Sequence, residues 1–215
     1  DSMVKIAPSM LSADFLHLEK DVEMVNDYAD IFHLDVMDGV FVPNLSYGFP
    51  VIEAIASKAV KPLDVHLMIV NPEKYVSRFA ETGADMISFH LNAADDPEAV
   101  LKQIRQCGAK AGLVINPDIP VESLYPYLGM CDYVLLMSVF AGFGGQKFIE
   151  DTYCRIRTLK TEIERRGLHV PIEVDGGVSP ANAAALAEAG AEILVAGSAV
   201  FKAENPADVI ASMKA

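Results

Sequence analysis

Eight short apolar runs, each bounded by turn residues, alternate along the chain with eight amphipathic stretches, and this alternation restricts the fold more than any other feature. Strands are predicted at 5–10, 31–37, 62–69, 86–90, 111–115, 133–138, 171–174 and 193–196. Helices are predicted between and after them at 12–25, 49–58, 71–83, 97–107, 121–128, 152–166, 180–189 and 206–213. The helix starts carry their own signals. Ser12-Ala13-Asp14 stands ahead of Phe15, Leu18, Val22 and Val25, and Asn71-Pro72-Glu73 combines an N-cap residue with a proline in the first turn. Runs that are apolar throughout fit a parallel sheet covered by helices. Strict alternation with short connections and no linker favours a closed barrel over an open sheet. The expected fold is therefore α/β, a single (β/α)8 TIM barrel over residues 3–215. Asp1-Ser2, ahead of Met3, are set aside as a leftover extension.

The formal charge of −13 argues against nucleic acid or an anionic membrane surface as partner, because each requires a basic patch. An anionic small molecule remains open, since backbone N–H groups at helix starts bind phosphate without Lys or Arg. No run of about 18 apolar residues occurs, and the N-terminus lacks the basic, apolar and small-residue succession of a signal peptide. Cys107, Cys131 and Cys154 are widely spaced and odd in number, which suggests neither a disulfide frame nor a thiolate zinc site. These features predict a soluble, cytoplasmic protein.

Within the second strand, Phe32-His33-Leu34-Asp35-Val36-Met37-Asp38-Gly39 places His33, Asp35 and Met37 two residues apart, so all three share a face. Charges on the inner face of a buried strand are costly unless paired, and a divalent metal suits imidazole and carboxylate together. A His–Asp hydrogen bond without metal is the alternative at this point. The third strand repeats the pattern, with Asp64, His66 and Met68 alternating with Val65 and Leu67. In a barrel the strand C-terminal ends carry the active site, and His33, Asp35, His66 and Asp175 fall there. Two imidazoles and two carboxylates make a site for Zn²⁺, Fe²⁺, Mn²⁺ or Co²⁺. His90 matches no motif and reads first as a structural histidine.

Three glycine-rich turns follow late strands: Gly142, Gly144 and Gly145, then Gly176-Gly177 ahead of a helix, then Gly197-Ser198. Each alone could merely turn a strand end, but three at adjacent strand ends point to a phosphate cradle, where bare backbone N–H groups approach an anion. Met37, Met68 and Met137 fall near strand exits. Methionine is usually gap filler, but here the three are read as a polarizable apolar lid that keeps water from a reactive intermediate.

Taken in order, Ala7-Pro8-Ser9, His33 to Gly39 with Phe41-Val42-Pro43-Asn44, Asp64-Val65-His66-Leu67-Met68, Gly142-Phe143-Gly144-Gly145-Gln146, Glu173-Val174-Asp175-Gly176-Gly177 and Gly197-Ser198 resemble the ribulose-phosphate 3-epimerase family over essentially the whole chain. The resemblance implies a barrel of the ribulose-phosphate-binding type and a metal-dependent inversion at C3 of a small ketose phosphate, D-ribulose 5-phosphate to D-xylulose 5-phosphate. It implies that His33, Asp35, His66 and Asp175 hold one divalent ion, Zn²⁺ or Fe²⁺ ahead of Mn²⁺ or Co²⁺, and that Asp35 and Asp175 are the acid/base pair around an enediolate. By the same matching, Ser9, His66, Met37, Met68 and Met137 contact substrate, and Gly142, Gly144, Gly145, Gln146, Gly176, Gly177, Gly197 and Ser198 bind its phosphate. Members of the family are often homo-oligomers.

The chain departs from the family pattern at Phe140-Ala141, where Asn-Pro is usual, and at Tyr47 and Phe49, where Phe and Pro are usual. Loss of the proline predicts a more mobile loop. These changes keep in play a related branch that acts on allulose 6-phosphate, and a sugar-phosphate binder without turnover is a third reading. The orotidine-phosphate decarboxylase group uses an Asp-x-Lys-x-x-Asp array, whereas Asp35-Val36-Met37-Asp38 contains no lysine.

Overall fold

A computed structural model of the protein describes residues 4–142 and 146–215. Eight parallel strands form one sheet: β1 Lys5–Pro8, β2 Phe32–Met37, β3 Leu63–Met68, β4 Met86–His90, β5 Lys110–Ile115, β6 Tyr133–Met137, β7 Ile172–Asp175 and β8 Ile193–Ala196. Around it lie α1 Leu18–Tyr28, α2 Phe49–Lys58, α3 Val76–Glu81, α4 Pro97–Gln106, α5 Thr152–Arg165, α6 Ala183–Ala189, α7 Ser198–Phe201 and α8 Pro206–Lys214. The sheet runs from β1 through β8, β7, β6, β5, β4 and β3 to β2. The expected (β/α)8 barrel is the fold.

The seam between β1 and β2 is closed differently from the rest. At the top, Ser9 and His33 form a single parallel bridge. At the bottom, the Asp30 N–H donates to Ile6 O at 3.1 Å and the Ile6 N–H donates to Asp30 Oδ2 at 2.8 Å. The acid that precedes an even-numbered strand recurs as a register device. The Leu63 N–H donates to Asp85 Oδ2 at 2.9 Å and the Ala111 N–H to Asp132 Oδ2 at 2.8 Å. These side chains satisfy backbone donors at strand starts, where the neighbouring strand offers no carbonyl.

Alternate strand residues face outward and inward. Phe32, Leu34, Val36, Val65 and Leu67 pack outward into the layer shared with helix residues such as Ile52 and Ile55. Inside the barrel two apolar clusters sit apart: Ala7, Ile31, Met86, Tyr133, Ile193 and Val195, mostly from strand starts, and Met37, Met68, Val114, Leu135 and Met137, mostly from strand ends. Between them lies a buried polar layer of His33, Asp64, His66, Ser88, His90 and Glu173. Gly112 makes room for one of its supports, because a Cβ there would strike the Tyr133 ring.

Several connections differ from the sequence reading. The first helix, expected from residue 12, begins at Leu18 after 3-10 turns at Met10–Ser12 and Phe15–His17. The segment Val121–Met130 is a 3-10 helix rather than an α-helix, because Pro126 in its middle has no N–H to donate and crowds the preceding turn. Asn71 adopts a left-handed conformation, so a 3-10 turn, Pro72–Lys74, precedes α3. The short α7 directly after Gly197 was not anticipated. No helix among the described residues is long and apolar enough to cross a membrane.

Candidate active site

Register brings the four candidate ligands together. Asp35 pairs with His66 across β2 and β3, and Met137 pairs with Asp175 across β6 and β7. His33 Nε2 lies 3.1 Å from Asp35 Oδ1 and 3.4 Å from Asp175 Oδ2. His66 Nδ1 lies 3.2 Å from the same Asp35 oxygen and 3.9 Å from the same Asp175 oxygen. The four residues therefore each turn one donor atom to a common point, all within 4.8 Å of one another. A thiolate-free set of two imidazole nitrogens and two carboxylate oxygens, almost wholly withdrawn from water, fits a single divalent metal ion. It is a buried His/Asp cluster able to bind a metal.

Ser9, at the end of β1, donates its hydroxyl to Asp35 Oδ2 at 2.6 Å, so each oxygen of this carboxylate has a defined partner. Burial alone would raise the Asp35 pKa, but His33 and His66 outweigh it and hold the group below the ordinary carboxylate range. For His33, burial works against the charge, and Asp35 and Asp64 overcome it, leaving the imidazole well above its usual range in the metal-free protein.

Behind the four lies a second layer that sequence reasoning missed. His33 Nδ1 lies 2.8 Å from Asp64 Oδ2 and 3.4 Å from Glu173 Oε1. The Tyr133 hydroxyl donates to Asp64 Oδ1 at 3.2 Å. Burial, then the charge of Asp64, push Glu173 well above the usual carboxylate range. His66 Nε2 meets His90 Nε2 at 2.9 Å, which brings His90 to the edge of the cluster. A signal existed: Asp64 and Glu173 each stand two residues before a candidate ligand, on the same inward parity.

Above the cluster is a cavity of about 270 Å³ at the strand C-terminal ends, with Asp35 and Asp175 in its floor. Met37, Met68 and Met137 form one wall, and Ser9, Gly142, Gln146, Gly176, Gly177, Gly197 and Ser198 complete the rim. His33 and His66 are fully buried beneath the two carboxylates and do not line it. Of the expected phosphate residues, Gly144 and Gly145 lie outside the described residues. Glycine is sterically required at Gly142, φ 91°, where a Cβ would strike Val42, and at Gly176, φ 128°, where it would meet Val139 at 2.6 Å. The Gln146 amide is engaged locally, its Oε1 accepting from the Phe140 N–H at 3.1 Å and its Nε2 donating to Phe140 O at 2.6 Å.

The loop departure has a structural counterpart. The Ala141 N–H donates to Asn116 Oδ1 at 3.0 Å, a bond that proline could not make, so a hydrogen bond restrains the loop where a ring would otherwise do so. Tyr47 likewise uses what phenylalanine lacks, its oxygen accepting from the Asp35 N–H at 3.0 Å.

Two carboxylates in the floor of a cavity at the C-terminal mouth of a (β/α)8 barrel, backed by a metal-competent cluster, define a barrel enzyme equipped for proton transfer. Residues 5–201 match the model of the ribulose-phosphate 3-epimerase family. The chain is 50% identical to a ribulose-phosphate 3-epimerase of Synechocystis, covering 98% of this chain and 93% of the relative. It is 45% identical to one of Bacillus subtilis, covering 93% of each. Among solved structures, 3-hexulose-6-phosphate synthase of Salmonella typhimurium superposes with a TM-score of 0.72 at 19% identity, covering 98% of this chain and 96% of that one. The tryptophan synthase α-subunit of Pyrococcus furiosus gives 0.72 at 17%, covering 100% and 96%. These last two likenesses concern the fold alone. The chain belongs to the ribulose-phosphate 3-epimerase family, and is an isomerase of the carbohydrate-epimerase class.

Proposed function

We propose that this protein inverts C3 of D-ribulose 5-phosphate to give D-xylulose 5-phosphate, with Asp35 and Asp175 as its two acid/base groups. The observation that carries the reading is their placement: the carboxylates enter one cavity from β2 and β7, strands separated by β1 and β8 across the barrel seam. Inversion needs a base on one face of the reacting carbon and an acid on the other. Asp35, held ionised by its histidine neighbours and aimed by Ser9, takes the C3 proton, and Asp175 delivers a proton to the opposite face.

His33, Asp35, His66 and Asp175 would hold one divalent ion, Zn²⁺ or Fe²⁺ ahead of Mn²⁺ or Co²⁺, which supplies Lewis-acid stabilisation of charge developing on the substrate oxygens. Met37, Met68 and Met137 present a dry wall to the enediolate and limit its protonation by water. Backbone N–H groups at Gly177, Gly197 and Ser198 hold the phosphate, with Gly142 and Gly176 shaping the turns. Gln146 acts on phosphate through the loop it ties to Phe140.

Asp175→Asn is expected to keep the fold and abolish epimerisation, measured as xylulose 5-phosphate formed. Near-normal turnover by that variant overturns the two-base assignment. Comparing kcat/KM for ribulose 5-phosphate and allulose 6-phosphate tests the substrate: more than about tenfold preference for the pentulose, about 1.4 kcal/mol of transition-state binding, is expected. The reverse preference moves the protein to the hexulose branch.

A further inference from the structure

We propose that Asp64 and His90 are positioning residues that decide which ring nitrogen each metal-binding histidine turns to the ion, Asp64 for His33 and His90 for His66. The inference rests on the ligand set proposed above. It concerns how this chain prepares that set, through residues outside it.

The two histidines are used in opposite senses. His33 presents Nε2 to the carboxylate oxygens of Asp35 and Asp175, whereas His66 presents Nδ1 to the same two oxygens. An imidazole that coordinates through one nitrogen carries its proton on the other, so the partner of the far nitrogen selects the tautomer. For His33 that partner is the Asp64 carboxylate, 2.8 Å from Nδ1. Asp64 is itself steadied by the Tyr133 hydroxyl, whose ring occupies the space left by Gly112.

For His66 the partner is His90, and the proton positions are then forced. With a lone pair at His66 Nδ1 turned to the ion, its Nε2 carries hydrogen and donates to His90 Nε2, 2.9 Å away. His90 must accept there, so its own proton sits on Nδ1, which is buried and has no hydrogen-bond partner among the described residues. An orphaned buried N–H is unfavourable, and packing alone would favour an apolar side chain at this interior position. The ring is also clamped. Its ring meets that of His66 edge to edge, 5.0 Å between centroids and 24° from parallel, and packs against Phe41 of the loop after β2 at 4.9 Å. A buried imidazole held in place, with one nitrogen used and the other unpaired, is explained by the nitrogen that is used.

The supports differ in charge. Asp64 is an anion and makes His33 a stronger donor as well as orienting it, whereas neutral His90 only orients His66.

The test reads the protons directly. Protein labelled with ¹⁵N-histidine and loaded with Zn²⁺ is examined by long-range proton–nitrogen correlation. His33 is expected to carry its proton on Nδ1, His66 on Nε2 and His90 on Nδ1. Zn²⁺ bound with the opposite tautomer at His33 or His66 overturns the inference while leaving the ligand set intact. Failure of the protein to take up one Zn²⁺ overturns both.

Chelator competition then measures Zn²⁺ affinity in His90→Leu, which lacks an acceptor, and in His90→Gln, whose side-chain oxygen can replace Nε2. His90→Leu is expected to weaken binding about 10–100-fold and His90→Gln to recover most of that loss, with Asp64→Asn weakened by a similar order. Wild-type affinity in His90→Leu, or a folded His90→Gln no better than His90→Leu, counts against the proposal. If His90→Leu does not fold, the wild-type spectrum decides alone.

Discussion

Asp35 joins the structural and chemical halves of the site, because its two oxygens are turned to different tasks. Oδ1 faces both candidate histidine ligands, and Oδ2 accepts from Ser9 on the next strand around the barrel. The charges around it dictate how the metal-free protein responds to pH. His33, raised well above 6.5 because Asp35 and Asp64 outweigh burial, contributes stability that is fully present below that value and is lost as pH rises through its folded pKa. Asp35 and Asp64 are depressed, since His33 outweighs burial, and contribute stability present above 3.8 and lost as pH falls through their folded values. These three groups together favour the fold most between those limits, and Glu173, raised by burial and by Asp64, adds to the loss of stability as pH rises. Loading with Zn²⁺ displaces the proton shared by His33 Nε2, so the alkaline loss should shrink. Thermal unfolding of both forms across the pH range checks this; identical alkaline losses would contradict it.

At the scale of elements, β2 is the strand whose outer edge most needs help. β1 ends at Pro8, and beyond the single Ser9–His33 bridge no strand among the described residues covers the backbone of Asp35 and Met37 on this side. Side chains of the loop after β2 take over. The Ser46 hydroxyl donates to Asp35 O at 2.6 Å and accepts from the Met37 N–H at 2.9 Å, and Tyr47 accepts from the Asp35 N–H. Tyr47→Phe should leave that N–H unpaired and cost about 1–3 kcal/mol in urea unfolding, with a fall in kcat as Asp35 loses part of its backing. The loop after β6 depends on Asn116 in a similar way. Removing the Asn116 amide in Asn116→Ala should free the Ala141 segment, raising KM for ribulose 5-phosphate about fivefold, the equivalent of about 1 kcal/mol, while Tm changes little. A KM unchanged in that variant would mean that the Gln146 contacts alone hold the loop.

Across the whole molecule, a barrel must be tied at its seam before a cluster drawn from β2, β3 and β7 can exist. Asp30 makes the lower tie to Ile6 and also pairs with Lys214 at 3.0 Å, joining both ends of the chain to the seam. Asp30→Ala should lower unfolding stability by about 1–3 kcal/mol while leaving kcat nearly intact, because the site lies at the opposite mouth. Much of this was legible in the sequence. Period-two placement of His33, Asp35 and Met37, and of Asp64, His66 and Met68, puts imidazole and carboxylate on one face once these segments are strands, and apolar runs separated by helical stretches marked all eight strands. Local conformational preference and side-chain parity act over a few residues, so the chain alone determines them. The 3-10 segment around Pro126 shows where the same local reasoning misjudged one residue against its neighbours. What the tertiary structure decided is the second layer. His90 reads as an isolated histidine until register sets it against His66, 24 residues earlier, and Asp64 finds Tyr133 69 residues away through the space left at Gly112. Such contacts depend on strand order, register and closure, which are set by packing between distant segments and carry no local signature.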